Sequence, residues 1–234
     1  MRSPTPGNSS DVRQPAAAFA SDLLAWFRRH AREFPWRAER DPYRVLVAEK
    51  LLQQTDAGHV LKVYDAFLRR FPTLDAVAAT EEHEIAALLR PLGFWRLRAR
   101  DLRRMASEVR DQLAGRFPRD VEELRALSGV GPYIANAVAC FAFGQQRAVV
   151  DVNVRRVMSR LLFWGRRMPT DEGLQDLLRG VMPNGRAREF NWAMLDFAAL
   201  VCRRRPKCEI CFAQSACQYF QNVVAVQGSD RVSR

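Results

Sequence analysis

An all-α fold is what this sequence predicts, and three observations predict it. Apolar residues recur at three- and four-residue spacing along almost the whole chain, as in helices that bury one face. Short Pro, Gly or Asp/Thr breaks interrupt that rhythm at helical lengths. No run alternates convincingly at period two; RAVVDV (147–152) comes nearest and is short.

The opening MRSPTPGNSSDVRQP (1–15) is polar and lacks the apolar core of a secretory signal, so it reads as a disordered lead-in. Helical spacing then covers 16–34 and stops at FPWR (34–37). RDPY (40–43) opens the stretch 42–54; 59–71 follows and ends in FPT (71–73). The stretch 81–90 closes at PLGF (91–94), and 95–113 closes ahead of RFPRD (116–120). Two more stretches, 120–127 and 132–143, flank LSGVG; 153–163 follows RAVVDV. After MPT (168–170) come 171–181 and 186–201. Beyond the lead-in there are no repeats or low-complexity segments.

A chain of 234 residues with 48% apolar composition suits one or two globular domains. No apolar run approaches the roughly 18 residues that a membrane span needs. The formal net charge is +11, which points to a polyanionic partner, nucleic acid being the commonest; a basic surface kept for solubility is the plainer alternative. Most cations are Arg, spread over RLRARDLRR (96–104), RRV (155–157), GRR (165–167) and CRRRPK (202–207), a scatter that suits several phosphate contacts.

Four places carry chemistry. In LSGVGPYIANAV (127–138), Gly129 and Gly131 frame Val130, and Pro132 takes a helix's first position, where its missing N–H costs nothing. Backbone N–H groups at such a helix start suit a phosphate, although an ordinary helical hairpin has the same outline. Asp151 lies 18 residues beyond Tyr133, just before a new helix, where an N-cap is the usual role. PYRVLVAEKLLQQT (42–55) is apolar around most of its wheel; Glu49, Lys50 and Gln53 share the remaining strip, which patterning alone reads as solvated. Glu49 has Gln53 at i+4, so no local ion pair explains it. Finally Cys202, Cys208, Cys211 and Cys217 read C-x5-C-x2-C-x5-C, thiols able to hold zinc or a [4Fe–4S] cluster. Cys140 is a small core residue.

LSGVGPYIANAV, then AFGQQRAVVDVNVRRV, then the cysteine quartet resemble the helix-hairpin-helix (HhH-GPD) DNA glycosylase superfamily, the group of endonuclease III and the MutY adenine glycosylases. The match runs from FPWR (34–37) to Cys217. It implies a six-helix barrel over 40–145, with the hairpin at about 124–143, and a cluster domain made from 16–39 and 146–221. The DNA and base cleft would lie between them, with a disordered tail at 222–234. It also implies a structural [4Fe–4S] cluster. The family spacing is C-x6-C-x2-C-x5-C, so the first loop is one residue shorter here, which bears on how Arg203, Arg204 and Arg205 aim at phosphates.

Breaking an N-glycosidic bond through an oxocarbenium-like state wants one ionised carboxylate near the sugar and a second group that aligns water or the leaving base. The resemblance gives Asp151 the first role and Glu49 the second. In the mismatch-repair branches an acid at this place lines the base pocket, and VLVAEKLLQQT resembles that segment; endonuclease III lacks the acid. Gln53, Gln54 and Trp95 stand where relatives insert wedge side chains into the gap left by a flipped base. For Trp95, plain core packing is the alternative. Bifunctional relatives hold a Schiff-base Lys at the place of Tyr133, and tyrosine forms none, which implies a monofunctional glycosylase.

TDAGHVLKVYDAF (55–67) resembles thymine/uracil mismatch glycosylases, which carry Tyr at the place of Tyr133 and end near the cluster, as here, where about 17 residues follow Cys217. Against this, those enzymes often have basic residues where Gln53 and Gln54 lie. The expected substrate is duplex DNA with thymine or uracil opposite guanine, handled by a cytoplasmic, nucleoid-associated monomer. The alternatives are an adenine glycosylase acting opposite 8-oxoguanine or guanine, and a DNA-structure binder that has lost catalysis.

Overall fold

The computed structural model describes residues 9–226, and among them every regular element is helical. In order these are α1 (Ser9–His30), α2 (Pro42–Leu52), α3 (Ala57–Arg70), α4 (Leu74–Ala79), α5 (Glu82–Leu89) and α6 (Trp95–Gln112). Then follow α7 (Val121–Ala126), α8 (Pro132–Phe141), α9 (Val152–Leu162), α10 (Asp171–Val181) and α11 (Ala187–Leu200). The chain forms two compact units, one from Glu33 to Gln145 and one that gathers the chain up to Arg32 with the chain from Gln146 onward.

In the unit Glu33–Gln145, α2 and α8 are the inner helices. From Val45 to Leu51 every residue of α2 is buried, and so is every residue of α8 from Ile134 to Phe141. Helices apolar around most of their circumference belong in a core, and these two pack on each other. Around them α3 lies on α2, α7 on α8, and α6 packs against α2, α4 and α5. Asp41, Asp56, Thr73 and Asp120 each accept a hydrogen bond from the first turn of α2, α3, α4 and α7, caps worth about 1 kcal/mol apiece. Sequence periodicity missed α4, the six residues LDAVAA just after the FPT break; the Thr73 cap after Pro72 marks its start.

In the other unit α1 packs on α9, α10 and α11. Phe19 and Trp26 of α1 meet Phe197 of α11 and Phe212 of the cysteine segment, with ring centroids 5.5–6.4 Å apart, and Phe197 and Phe212 lie 5.1 Å from each other. The cysteine segment is thereby clamped to two helices by aromatic packing. The alternating RAVVDV run forms no regular element up to Asp151 and, among the described residues, pairs with no strand. Buried Asn191 takes the place of one: its Oδ1 accepts from Val149 N (2.8 Å) and its Nδ2 donates to Arg147 O (2.8 Å).

Two chain-end expectations change. Helix α1 begins at Ser9, so 9–15 is helical, while residues 1–8 fall outside the described part. The segment reads as disordered because it is polar; Pro15 nevertheless sits inside the helix, where it removes one hydrogen bond, and the apolar face from Ala16 on is buried. At the other end Phe220–Val224 forms a π turn, so the expected tail is helical as far as residue 226; residues 227–234 lie outside the described part.

Candidate active site

The hairpin between α7 and α8 depends on its first glycine. Gly129 has φ +70°, and a Cβ there would come within 2.6 Å of Lys50 Nζ and 2.7 Å of Asp101 Oδ2. Lys50 reaches this spot from α2: its Nζ donates to Gly129 O (2.7 Å) and pairs with Asp101 (2.8 Å). Ser128 is tied to α6, its N–H donating to Glu108 Oε2 at 2.7 Å. The expectation that the loop N–H groups stand free therefore narrows: Ser128 N is taken, and Val130 N donates to Leu127 O (3.1 Å). Gly131 differs from Gly129. Its backbone is extended, no side chain caps α8 there, and a Cβ built on it meets nothing within 4 Å. That open helix start is what an anion needs.

One turn into α8, Tyr133 meets Glu49 of α2, its hydroxyl donating to Glu49 Oε2 at 3.0 Å. Glu49 and Lys50 are each only 5% exposed. The strip that patterning reads as solvated is thus buried and polar, tied to α8, α6 and the hairpin. Gln53 and Gln54 follow at the exposed C-terminal end of α2, Gln54 with φ 52°.

In the same unit the PLGF turn presents Phe94, not Trp95. Phe94 is left-handed (φ 56°) and 62% exposed. Trp95 is half-buried at the first position of α6, with the Arg96 guanidinium 4.1 Å from its ring centroid.

Asp151, in the other unit, caps α9: Oδ1 accepts from Asn153 N (2.9 Å) and Val154 N (2.7 Å), and Oδ2 from Asn153 Nδ2 (2.6 Å). Asn153 Oδ1 in turn accepts from Arg156 Nη1 (2.8 Å), and Arg156 Nε donates to Cys202 O (3.0 Å). A chain of three hydrogen bonds therefore runs from the Asp151 carboxylate to the backbone of the first cysteine of the quartet. Burial holds the Arg156 pKa below the ordinary arginine value. Nothing in the sequence flags Asn153 or Arg156.

The four thiols line one cavity beside Arg160. Arg160 Nη1 lies 3.6 Å from Cys202 Sγ and donates to Arg203 O (2.6 Å), while Nη2 donates to Arg204 O (2.9 Å). Arg203, Arg204 and Arg205 are exposed. Among the described residues, no three His, Cys, Asp or Glu side chains converge closely enough for a single metal ion. Burial raises the Cys208 and Cys217 thiol pKa values and pushes Cys211 up to about 11, so these three thiols, when unligated, keep their protons.

The arginine scatter is less available for phosphate than composition suggests. Arg98 is buried, Arg103 Nε donates to Thr80 O (2.8 Å), Arg155 pairs with Asp171 (2.5 Å), and Arg156 serves the chain just described. Charge counting cannot separate cations that hold the fold from cations that face a ligand.

A hairpin open at a helix start, on an all-helical scaffold with a buried carboxylate beneath it, defines a helix-hairpin-helix protein. Residues 47–183 match the HhH-GPD superfamily of base excision DNA repair proteins, and the chain belongs to that family. A thymine/uracil-DNA glycosylase of Methanothermobacter thermautotrophicus is 38% identical over 207 residues, 87% of this chain and 93% of that protein. The adenine DNA glycosylase of Mus musculus is 36% identical over 228 residues, 92% of this chain and 44% of the mouse protein. The solved structure of a thermostable thymine-DNA glycosylase aligns with a TM-score of 0.84 at 36% identity, covering 90% of this chain and 98% of that one.

Proposed function

We propose that this chain, a base excision DNA glycosylase, releases thymine or uracil opposite guanine from duplex DNA and leaves the strand uncut. The observation that carries the reading is the Tyr133–Glu49 hydrogen bond at the foot of the hairpin. A phenol at that place forms no Schiff base with the sugar, and its proton is directed at a carboxylate. Likeness to a thymine/uracil-DNA glycosylase over nearly the whole length of that protein supports the base assignment.

In this reading the open start of α8, from Gly131, grips a phosphate, and Phe94 with Gln54 fills the space the extruded base leaves. Phe94 takes over the role first given to Trp95, because it is the exposed side chain of the turn. Asp151 faces the sugar and stabilises the positive charge that grows at C1′ as the C1′–N1 bond breaks and its electron pair leaves with the base. Glu49, oriented by Tyr133, accepts a proton from the water whose oxygen bonds to C1′. Thymine and uracil leave as anions held by hydrogen bonds, so Glu49 need not protonate them.

The chemistry of the quartet fits a [4Fe–4S] cluster on Cys202, Cys208, Cys211 and Cys217. Four thiols line one cavity, and their spacing C-x5-C-x2-C-x5-C holds a single short step, whereas structural zinc favours two short knuckles. Such a cluster would tie the segment together structurally and take no part in excision. The unit that gathers the chain ends is then the cluster domain and Glu33–Gln145 the barrel domain. Exposed Arg203, Arg204 and Arg205 contact phosphates, and the enzyme acts as a monomer on chromosomal DNA in the cytoplasm.

A single-turnover panel of duplexes tests the reading: T·G, U·G, A·8-oxoguanine and A·G, each assayed with and without hot alkali. Thymine or uracil should be released fastest, with cleavage only after alkali. Faster adenine release would move the chain to the adenine glycosylases, and no release from any duplex would leave a DNA-structure binder.

A further inference from the structure

Two exposed loops of the unit Glu33–Gln145 are joined by one buried guanidinium. Arg98 of α6 is 4% exposed. Its Nη1 donates to Lys50 O, and its Nη2 to Gln53 O and to Thr55 Oγ1, the last at 2.8 Å. Its Nε donates to Gly93 O at 2.7 Å. Lys50 and Gln53 end α2, Thr55 closes the turn that carries Gln54, and Gly93 immediately precedes Phe94.

Three features set this arginine apart from a core ion pair. Among the described residues it pairs with no carboxylate, and burial alone pulls its pKa below the ordinary value. A buried cation is tolerated only when its donors are satisfied, and here its named partners are three backbone carbonyls and one hydroxyl. The loops it joins bear side chains that face solvent, so the clamp serves little core. Each loop also holds a non-glycine residue in the left-handed region, Gln54 at φ 52° and Phe94 at φ 56°. Side chains seldom adopt that conformation unless surrounding structure fixes it, and such outliers gather where geometry serves function.

We propose that Arg98 is a positioning residue for base extrusion, locking the Gln54 and Phe94 loops into one two-pronged wedge. The inference rests on the excision reading above but concerns a step before chemistry. Lysine keeps the charge yet lacks the planar fork, so it cannot hold both loops at once.

The test uses the full-length protein with Arg98→Lys and Thr55→Val. Single-turnover release of thymine is measured from a T·G duplex and from a duplex in which the same thymine faces an abasic gap and is already unpaired. In parallel, 2-aminopurine beside the target reports unstacking by stopped-flow fluorescence. Arg98→Lys should slow release from T·G about 100-fold, the scale on which a misplaced group lowers a rate. Release from the gapped duplex should change by less than about 3-fold, within the effect of one weak contact. Thr55→Val, which removes one contact and no charge, should show the same selectivity at about 5-fold, and it keeps the test open if Arg98→Lys does not fold. Equal losses on both duplexes, or no loss on either, would overturn the proposal. Should the wild type release no base, the fluorescence still decides: a rise with wild type but not with Arg98→Lys keeps the clamp and discards the excision reading.

Discussion

Gly129 and Gly131 lie two residues apart in one loop, and the structure assigns them opposite sensitivities. Alanine at 129 must hold φ +70°, which costs a non-glycine residue about 1 kcal/mol. Its Cβ would also stand 2.6 Å from Lys50 Nζ and 2.8 Å from Asp101 Cβ. Lys50 cannot simply swing aside, because it is held by Asp101 and by Gly129 O, and the two side chains of the pair are only 7% and 18% exposed. Losing such a pair outright costs about 3–5 kcal/mol, so a displaced one costs half of that, about 2 kcal/mol. Gly129→Ala should therefore destabilise the unit Glu33–Gln145 by about 3 kcal/mol and lower its melting temperature by roughly 10 °C. Valine at 131 meets an ordinary extended backbone and open space. Stability should stay within about 0.5 kcal/mol, while duplex affinity falls about tenfold, or 1.4 kcal/mol, for matched and mismatched sequences alike. Thermal unfolding and fluorescence anisotropy at one fixed salt concentration measure both. If Gly131→Val melts as early as Gly129→Ala, or binds duplex as tightly as the wild type, the open helix start is not the phosphate grip.

Three further outcomes follow from the same geometry. Protein prepared without oxygen should be brown, with about four iron and four sulfide per chain, and Cys208→Ser should lose colour and stability together; stoichiometric zinc without iron would contradict the cluster. Borohydride should trap no covalent complex with DNA, and Tyr133→Phe, which leaves Glu49 without its phenol donor, should slow excision about tenfold for one charge-assisted hydrogen bond; efficient trapping by the wild type would refute the monofunctional reading. Asn153→Ala frees Asp151 Oδ2 and breaks the chain to Arg156, so excision should fall about tenfold with mismatch binding unchanged; equal losses in both would make Asn153 a residue of binding or folding instead.

Local signals made the helices legible in the sequence. Periodicity, caps and proline breaks marked every long helix, and the glycine hairpin and the cysteines stood out because their spacing is contiguous. The misses share one physical cause. Whether Glu49 and Lys50 face water depends on α6, α8 and the hairpin, which bury them, and a helical wheel shows only the helix itself. Arg98 and Arg156 sit among other arginines in sequence, yet Arg98 donates to Lys50 O and Gln53 O and Arg156 to Cys202 O and Ala198 O, carbonyls more than 40 residues away. Phe94 and Trp95 are neighbours whose exposure is decided by one left-handed residue, which a proline- and glycine-containing turn permits but does not announce. The run 147–150, the nearest the sequence comes to a strand, is held instead by Asn191, 42 residues beyond Val149.

The most direct measurement is single-turnover release of thymine from a T·G duplex by the wild type, Asp151→Asn and Glu49→Gln, beside release of adenine opposite 8-oxoguanine. Asp151→Asn should bind the mismatch yet release nothing, because in the proposed role it removes the charge set against the sugar cation and no phosphate contact. Glu49→Gln should retain part of the thymine activity, since that base leaves as an anion without protonation. The wild type should release thymine faster than adenine. Faster adenine release, together with a Glu49→Gln variant dead on adenine, would contradict the assignment and place the chain among the adenine glycosylases.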